Sequence, residues 1–404
     1  MAGLFAGIGG IEQGFHRALG SEVQTELLCE WWDPAKAVLA QRFPGVEIHP
    51  DVRELRDLPR GLDLLSAGFP CTDLSQAGRT AGITGEASGL VSHVFEALRL
   101  AGGQGHTLPW LMIENVPNML TLDKGKAMGY LIREIEDLGY QWAYRIVDSR
   151  FTGLPQRRRR VILLASLDED PRPVLFADDA GERISSDLNS DAFGFYWTEG
   201  KGGLGWAQDA IPTLKGGSTI GIPSPPAIWR PGAVVGSPFV TPSIEDAEAL
   251  QGFDRGWTDV EPNNGANSPR WKMVGNAVTT RVAEWVADRV ARPGEPVVDL
   301  YESDVENKWP TAAWGRGGKA FKVAISEFPV HRDYEHLSGL VNLEQARPLS
   351  FRAIRGFQNR LLQGNLGRHE GFRSDVANYV DSYTGNSASE SFERLTDVVP
   401  RKAG

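Results

Sequence analysis

Short apolar runs alternate with longer amphipathic stretches along the first 165 residues of the chain. The apolar runs include residues 4–5, 27–29, 62–65, 111–113 and 161–164, and glycine, proline or charged residues bound them. Short apolar runs between turn residues are typical of buried strands, and amphipathic stretches of helical period are typical of helices. This alternation predicts an α/β fold built on an open sheet.

The composition is that of an ordinary globular protein with more than one core. The chain has 404 residues, of which 41% are hydrophobic and 23% charged, and cores typically take ~100 to 200 residues each. No apolar run approaches the ~20 residues of a membrane span, so we expect a cytoplasmic protein without an anchor. The net charge of −10 argues against binding nucleic acid with the whole surface, although a local basic cleft remains compatible with it.

The first apolar run ends in a glycine-rich turn. Residues 4–12 read Leu-Phe-Ala-Gly-Ile-Gly-Gly-Ile-Glu, and a helix-like stretch follows to Leu19. Such a turn lets backbone N–H groups approach a ligand at the positive end of a helix. The spacing of Gly7, Gly9 and Gly10 does not match the pyrophosphate-binding pattern G-x-G-x-x-G. The turn therefore suits a ligand with one carboxylate and no phosphates, and a purely structural turn is the alternative.

Acidic residues follow the next two apolar runs. Glu30 and Trp31 come after residues 25–29, and Asp51 ends residues 47–51. At the end of the second strand of an open sheet, an acid can accept hydrogen bonds from ribose hydroxyls, and a ring can stack on adenine. Asp51 is placed to accept from an adenine amino group. One such residue alone would fit a solvated strand end, but three successive polar strand ends favour an adenosine site.

A cysteine follows a buried strand directly. Residues 62–67 end in Gly68-Phe69-Pro70-Cys71, and a strand that stops at a loop is a common way to present a nucleophile. Because the chain holds only Cys29 and Cys71, a disulfide framework and a four-cysteine metal site are excluded. The Cys71 thiol is therefore kept for its small size or for its reactivity, and the neighbouring motifs favour reactivity.

A glutamate ends another apolar run, level with Cys71 in the predicted sheet. Residues 111–113 are apolar and Glu114 follows them. An unpaired glutamate is almost never fully buried. Glu114 is therefore a candidate functional residue.

Four consecutive arginines precede the apolar run 161–164. Residues 156–160 read Gln-Arg-Arg-Arg-Arg, and strand alternation places Gln156, Arg158 and Arg160 on one face. A solvated basic edge is the alternative. Because the run leads directly into an apolar strand, we expect one face to point into a site or at phosphate.

In this order the motifs resemble those of the cytosine-5 DNA methyltransferase family, over residues 1 to about 290. Each motif is only moderately specific, but six in the family's order make chance implausible. They are Phe5-Ala6-Gly7-Ile8-Gly9-Gly10, Gly68-Phe69-Pro70-Cys71, Glu114-Asn115-Val116, Gln156-x-Arg158-x-Arg160, Leu250-Gln251-Gly252-Phe253 and Gly275-Asn276-Ala277-Val278. The resemblance implies a Rossmann-like, S-adenosylmethionine-dependent methyltransferase sheet with helices on both faces, a small irregular target-recognition domain and a C-terminal extension.

The resemblance implies a DNA (cytosine-5)-methyltransferase that flips a cytosine out of duplex DNA. Cys71 would add to carbon 6, and the enamine so formed would attack the methyl group of S-adenosylmethionine. Glu114 would donate a proton or a hydrogen bond at ring nitrogen 3. Arg160 would contact the cytosine carbonyl oxygen, and Arg158 would support the catalytic loop and phosphate. No residue stands out as the base for the carbon 5 proton.

The resemblance also implies a cofactor site and a DNA-binding set. The cofactor residues are Phe5, Gly7, Gly9, Gly10, Glu30, Trp31, Asp51, Val52, Pro70, Asn276 and Ala277, with Asn276 near the methionine moiety. The DNA-binding residues are Ser75, Arg79, Gln156, Thr213 and Lys215. Residues 73–90 carry several glycines, and we expect them to form a lid that is mobile without DNA.

The resemblance divides the chain into three parts. Residues 1–165 and 240–292 form the catalytic domain, and residues 166–239 form the target-recognition region. Residues 297–404 are an extension of unknown role after a Pro-Gly linker. Within it, Arg352, Arg355 and Arg360 fall close to one helical face, which either contacts DNA phosphate or is solvated. Thr72 departs from the family, where many members have glutamine.

The expected partner is double-stranded DNA, with no metal and no membrane. We expect a monomer of bacterial or phage origin that is paired genetically with a restriction endonuclease. An RNA (tRNA) cytosine-5 methyltransferase and a catalytically idle DNA-binding relative are the alternatives. The Gly-Phe-Pro-Cys motif and the sizeable recognition interval favour DNA over RNA. The presence of Cys71, Glu114 and Arg160 together counts against the idle relative.

Overall fold

The largest sheet in the described part of the chain has ten strands of mixed direction. The computed structural model describes residues 1–70, 89–199, 203–216, 225–233, 236–263, 269–296, 300–302, 308–343 and 346–383. The strands of the main sheet are β1 Ala2–Leu4, β2 Leu27–Cys29, β3 Glu47–His49, β4 Leu64–Ala67, β5 Trp110–Asn115, β6 Gln141–Asp148, β8 Arg159–Ser166, β14 Leu300–Glu302, β15 Ala312–Arg316 and β16 Lys319–Val323.

Some helices flank the main sheet on both faces, and others pack on a second sheet. The α-helices are α1 Gly10–Leu19, α2 Asp33–Arg42, α3 Leu90–Gly103, α4 Lys126–Asp137, α5 Arg172–Leu175, α6 Ile244–Leu250, α7 Arg270–Asn276, α8 Thr280–Ala291, α9 Leu337–Leu340 and α10 Phe351–Gln363. A further helix, α11, covers residues 372–383. Short 3-10 turns lie at Gly20–Glu22, Val52–Glu54, Pro117–Leu120, Leu122–Gly125, Ser149–Thr152 and Ser185–Asp187.

The strand residues alternate between two apolar clusters, because successive side chains of a strand point to opposite faces. In β5, Leu111 and Ile113 belong to the cluster with α3 and α4. Met112 belongs instead to the cluster with α1 and α8. A sheet that is buried on both faces needs near-continuous apolar runs, which is the pattern of β5 and β8. The two-sided α/β architecture confirms the predicted fold class.

The strand order reverses between β1 and β4. The order runs β3-β2-β1-β4-β5-β8-β6, and β1 pairs in parallel with both β2 and β4. Strands β5 and β8 are antiparallel, with Glu114 opposite Ile162. The turns after β1 and β4 therefore leave the sheet side by side, at the position where ligands bind in open α/β folds.

Four strands of a second sheet lie between β8 and α6, and a fifth strand comes from near residue 347. Its order is β10-β9-β12-β13-β17, with β9 Phe193–Phe195, β10 Ala207–Gln208, β12 Ala227–Trp229, β13 Phe239–Thr241 and β17 Arg347–Pro348. A two-stranded parallel ladder joins β7 Gln156–Arg157 to β11 Ile211–Pro212. This ladder connects residues 156–157, where the run of arginines begins, to the segment that forms the second sheet.

The segment after the linker contributes to both sheets. Strand β15 pairs antiparallel with β6 and extends the main sheet. Trp309 packs edge-on against Trp142, and its ring N–H donates to the Gly125 carbonyl at 3.0 Å. Further along, β17 pairs with β13 of the second sheet.

Helix α10 packs on the second sheet through its apolar face. Phe357 lies in the same cluster as Phe195 and Phe239. Arg360 donates from Nη2 to the Trp197 carbonyl at 2.7 Å, whereas Arg352 and Arg355 are exposed. The helical face with three arginines thus divides between a contact to the second sheet and solvent.

Candidate active site

A cleft of about 460 Å³ opens at the carboxyl ends of β1 and β4. It lies at the point where the strand order reverses, as expected for a ligand site in this fold class. Many of the residues predicted from the sequence line it together. They are Phe5, Gly7, Glu30, Trp31, Pro70, Glu114, Arg158, Arg160, Asn276 and Ala277.

The glycine turn shapes one wall of the cleft. Phe5 and Gly7 have φ values of 55° and 58°, a left-handed conformation that favours glycine. The Gly7 N–H donates to Glu30 Oε2 at 2.8 Å. A Cβ on Gly9 would collide with the Phe43 ring and one on Gly10 with the Val278 carbonyl, so both glycines permit close packing behind the turn. The predicted glycines therefore divide into one that faces the cleft and two that lie behind it.

Glu30 braces this wall from the end of β2. Its Oε1 accepts from the Trp32 N–H at 2.9 Å. Burial raises the pKa of the carboxyl, while the N–H donors of Trp32 and Gly7 act in the opposite direction. Each carboxylate oxygen has a second lone pair, so Glu30 keeps acceptor capacity for a ligand. The adjacent Trp31 side chain is 70% exposed at the rim and offers a free ring face.

A side cavity of about 230 Å³ adjoins Trp31 and contains Asp51 and Val52 in its wall. The Asp51 carboxylate accepts from Arg53 Nε at 3.0 Å, and this pairing lowers its pKa to about 2. The predicted adenine acceptor thus already has a cationic partner within the protein. Burial raises the pKa of the Cys29 thiol, which lines the same cavity, to about 12, so Cys29 is an inert thiol at neutral pH.

Glu114 and Arg160 form a buried ion pair at the cleft. Arg160 Nε lies 2.8 Å from Glu114 Oε1. The antiparallel register of β5 and β8, with Asn115 opposite Val161, brings the two side chains together at the sheet's end. Burial lowers the pKa of Arg160, and the Glu114 carboxylate opposes this shift. The site thus offers one carboxyl and one guanidinium side by side, suited to a ligand with both donor and acceptor atoms.

Asn115 is a site residue that the sequence analysis did not single out. Its Nδ2 donates to the Phe69 carbonyl at 2.9 Å, and its Oδ1 accepts from the Val116 N–H at 2.9 Å. The amide therefore fixes the backbone two residues before Cys71. The position of Asn115 next to Glu114 in the motif was the only sequence signal for it. The alternation of strand residues between two faces does not predict that its partner is Phe69.

Arg158 lies in the interior, where it donates to three carbonyls on two backbone segments. It donates to the carbonyls of Leu214 at 3.1 Å, Gly275 at 3.4 Å and Ala277 at 2.7 Å. Burial lowers its pKa well below the ordinary value for arginine. These contacts join the cleft loop at 275–277 to the second sheet.

Gln156 is also fully buried. Its Nε2 donates to the Leu250 carbonyl at 2.9 Å, and its Oε1 accepts from the Leu214 N–H at 3.0 Å. All of these partners are protein groups. The strand face predicted to carry Gln156, Arg158 and Arg160 therefore points inward, and Arg160 and Arg158 reach the cleft.

Thr213 and Lys215 lie where the second sheet approaches the cleft. Thr213 Oγ1 donates to the Arg157 carbonyl at 2.8 Å. Lys215 forms an ion pair with Glu199 and lies 4.0 Å from the centre of the Tyr196 ring. The Lys215 side chain is half exposed.

The C-terminal end of α7, at residues 275–277, closes the cleft opposite the glycine turn. A Cβ on Gly275 would collide with the backbone at Lys215, so this glycine permits the close approach of the second sheet. Lys272 also lines the cleft, with its ammonium 4.6 Å from the centre of the Trp32 ring. The sequence analysis did not identify this cation, because a lone lysine on a short helix carries no motif.

Several predictions fall outside the described residues. Cys71, Ser75, Arg79 and most of the predicted lid at 73–90 belong to this group. Among the residues that are described, no cluster of His, Cys, Asp and Glu has the geometry of a metal site. No described helix is long and apolar enough to cross a membrane.

Comparison with known proteins decides the family. The model of the C-5 cytosine-specific DNA methylases matches residues 1–187. Type II methyltransferase M2.BsuMI of Bacillus subtilis is 47% identical over 403 residues, which is 98% of this chain and 97% of that protein. The chain belongs to the C-5 cytosine-specific DNA methylases. It therefore methylates carbon 5 of cytosine in DNA, and the predicted activity is confirmed.

Other relatives agree with this membership. Type II methyltransferase M.MspI of a Moraxella species is 33% identical over 193 residues, 46% of this chain and 44% of that protein. The solved structure of the S. pombe Dnmt2 methyltransferase superposes with a TM-score of 0.51 and 14% identity, covering 72% of this methylase and 98% of that chain. At this identity the superposition supports the fold alone. As in other methylases of the family, the reaction depends on S-adenosylmethionine.

Proposed function

We propose that this methylase acts through a transient covalent bond between Cys71 Sγ and carbon 6 of a flipped cytosine. Carbon 5 is a poor nucleophile, and addition of a thiolate at carbon 6 makes it an enamine carbon. After carbon 5 has taken the methyl group from the cofactor, which would leave as S-adenosylhomocysteine, loss of the carbon 5 proton would restore the ring double bond as Cys71 leaves. The observation that carries the proposal is the buried Glu114–Arg160 pair, 2.8 Å apart in the cleft wall that also contains Pro70.

The pair suits the polar edge of cytosine. Glu114 would donate to ring nitrogen 3 and so balance the charge that gathers on the ring when the thiolate adds. Arg160 would donate to the carbonyl oxygen at position 2. Because Asn115 binds the Phe69 carbonyl, it would hold the backbone that carries Cys71 in place.

The cofactor would occupy the cleft between the glycine turn and the loop at 275–277. The residues fit this ligand, since Glu30 keeps free acceptor lone pairs and Trp31 presents an exposed ring at the rim. S-adenosylmethionine would supply the methyl group as an electrophile. The remaining residues proposed for the cofactor are Phe5, Gly7, Gly9, Gly10, Asp51, Val52, Pro70, Asn276 and Ala277.

Duplex DNA would lie across the cleft and the second sheet, with residues 166–239 reading the target sequence. Lys215 and Thr213 are the proposed contacts there, and Ser75 and Arg79 are the proposed contacts in the lid. The lysine's half exposure beside Tyr196 supports a role at a surface. We place the catalytic domain at 1–165 and 240–292, and the protein in the cytoplasm as a monomer that protects DNA from a companion restriction endonuclease.

Replacement of Cys71 by serine tests the covalent route. A serine hydroxyl is far less acidic and less nucleophilic than a thiol, so we expect loss of methyl transfer from labelled S-adenosylmethionine to duplex DNA. Affinity for S-adenosylhomocysteine, measured by calorimetry, should stay within about twofold, because the change only exchanges one sulfur for oxygen outside the proposed cofactor contacts. Turnover by Cys71→Ser at a substantial fraction of the wild-type rate would contradict the proposal.

A further inference from the structure

Glu12 is a buried carboxyl that the proposed reaction does not use. It lies on the first turn of α1 and is 1% exposed. Its Oε1 accepts from Ser66 Oγ at 3.2 Å. Its Oε2 is buried and has no hydrogen-bond partner among the described residues. A buried oxygen without a partner costs stability, so its presence calls for a ligand or a function.

The main sheet makes room for this carboxyl. A Cβ on Gly3 of β1 would collide with Glu12 Oε1. The carboxyl thus fills the space over the strand that a side chain at position 3 would take. Glycine in a strand interior is unfavourable, and here its backbone approaches an acid closely.

Glu12 also lines a small cavity whose wall shares several residues with the cleft. The cavity measures about 40 Å³, and its wall includes Glu12, Ser66, Gly7, Glu114 and Asn276. Gly7, Glu114 and Asn276 also line the main cleft. The volume suits one small polar group, since a water molecule occupies about 30 Å³. The acid therefore lies at the inner end of the site proposed for the cofactor.

The surroundings favour a cation as the occupant. Burial raises the pKa of Glu12 to about 7, while hydrogen bonds from its own backbone N–H and from Ser66 oppose this shift. Glu114, on the far wall of the cavity, is already paired with Arg160. Glu12 Oε2, by contrast, has no hydrogen-bond partner among the described residues, so an added cation could contact this oxygen.

We propose that Glu12 binds the ammonium group at the amino-acid end of the cofactor. The inference rests on the proposed cofactor site, and it adds an anionic subsite beneath the glycine turn. An ammonium donates hydrogen bonds and carries the charge that a buried carboxylate needs. Its arrival favours the ionised carboxylate, so binding near neutral pH releases a proton from Glu12 to solvent.

Calorimetry with two ligands tests the subsite in the full chain. S-adenosylhomocysteine carries the ammonium, whereas 5′-methylthioadenosine lacks the whole amino-acid group. Titrations at pH 6.5 in two buffers of different ionisation enthalpy give affinity and proton release together. For the wild type we expect a fraction of a proton to be released with S-adenosylhomocysteine and none with 5′-methylthioadenosine.

Glu12→Gln is the matched variant, because it keeps the volume and removes the charge. We expect it to weaken S-adenosylhomocysteine about tenfold to a hundredfold, to abolish proton release, and to leave 5′-methylthioadenosine within about twofold. Glu12→Asp should fall between the two, because its shorter carboxylate keeps the charge. Equal affinity of wild type and Glu12→Gln for S-adenosylhomocysteine would overturn the subsite alone. Failure of both ligands to bind the wild type would overturn the proposed cofactor site itself.

Discussion

The carboxyl of Glu114 contacts Arg160 at the place proposed for the flipped cytosine. Replacement of Glu114 therefore tests the site at the level of a single residue. Glu114→Gln keeps the shape of the side chain but removes an acid that can hand a proton to ring nitrogen 3. We expect the rate of methyl transfer to fall about a hundredfold to ten-thousandfold. Single-turnover transfer to duplex DNA measures this rate.

The control for Glu114→Gln is Glu134→Gln. Glu134 pairs with the half-exposed Arg99 at 2.5 Å, on helices α4 and α3 away from the cleft. Exposed pairs contribute little, so this variant should keep full activity. Equal activity of the two variants would contradict a chemical role for Glu114.

Glu12 also predicts how stability depends on pH in the absence of ligand. The folded chain holds its pKa at about 7, above the ordinary 4.5. Its contribution to stability is therefore fully present below pH 4.5 and is lost as the pH rises through 7. At pH 8 the ionised carboxyl costs about 3 kcal/mol. Glu12→Gln should unfold at higher urea concentration than the wild type at pH 8, and this advantage should vanish near pH 5. A pH-independent difference would contradict the assignment.

Some residues of the site could be predicted from the sequence because each directly follows an apolar run that is recognisable as a strand. Glu30 and Glu114 follow apolar runs, and parallel strands bring such ends to one edge of a sheet. The partners of Gln156 and Arg158 could not be predicted in this way. They lie on Leu214, Leu250 and Ala277, far along the chain, and no periodicity encodes pairing at that distance.

At the scale of elements, Asp209 joins the second sheet to the segment after the linker. Its carboxylate accepts from the Leu337 N–H at 2.8 Å, the Asn189 N–H at 2.9 Å and His336 Nδ1 at 2.6 Å. The residue is fully buried and has a φ of 48°. A charged acceptor satisfies all three donors at once, which fixes α9 against β10.

Asp209→Asn tests this junction. Asparagine tolerates a positive φ, so the backbone should be unaffected. Its amide replaces one acceptor oxygen with a donor, which leaves a buried donor unsatisfied at a cost of about 1 to 3 kcal/mol. Urea unfolding should show this loss, while the exposed Asp187→Asn should stay within about 0.5 kcal/mol of the wild type. Equal stability of both variants would show that the junction is not stabilising.

At the scale of the whole molecule, the segment after residue 308 belongs to two structural units. Strand β15 extends the main sheet at β6, and β17 with α10 covers the second sheet. The sequence predicted a C-terminal extension of unknown role, because the family motifs end near residue 290. Its pairings join residues about 170 positions apart, which composition and period do not reveal. The same segment thus connects the main sheet to the second sheet.

The chain has a net charge of −10, but basic side chains line the cleft. Arg160, Arg158 and Lys272 line it, although Arg158 is engaged by backbone carbonyls. We expect DNA binding to depend on such local cations and not on the whole acidic surface. In the proposed mode, the cleft and the second sheet together would orient the protein on DNA.

Covalent capture of the substrate base is the most direct test of the account. A duplex that carries 5-fluorocytosine at the target position cannot lose a proton from carbon 5, so the adduct should persist after methyl transfer. With S-adenosylmethionine present, we expect a protein–DNA complex that survives denaturing electrophoresis, with the DNA attached to the peptide that contains Cys71. Methylation of ordinary duplex DNA under the same conditions, without any trapped complex on the fluorinated duplex, would contradict the covalent route.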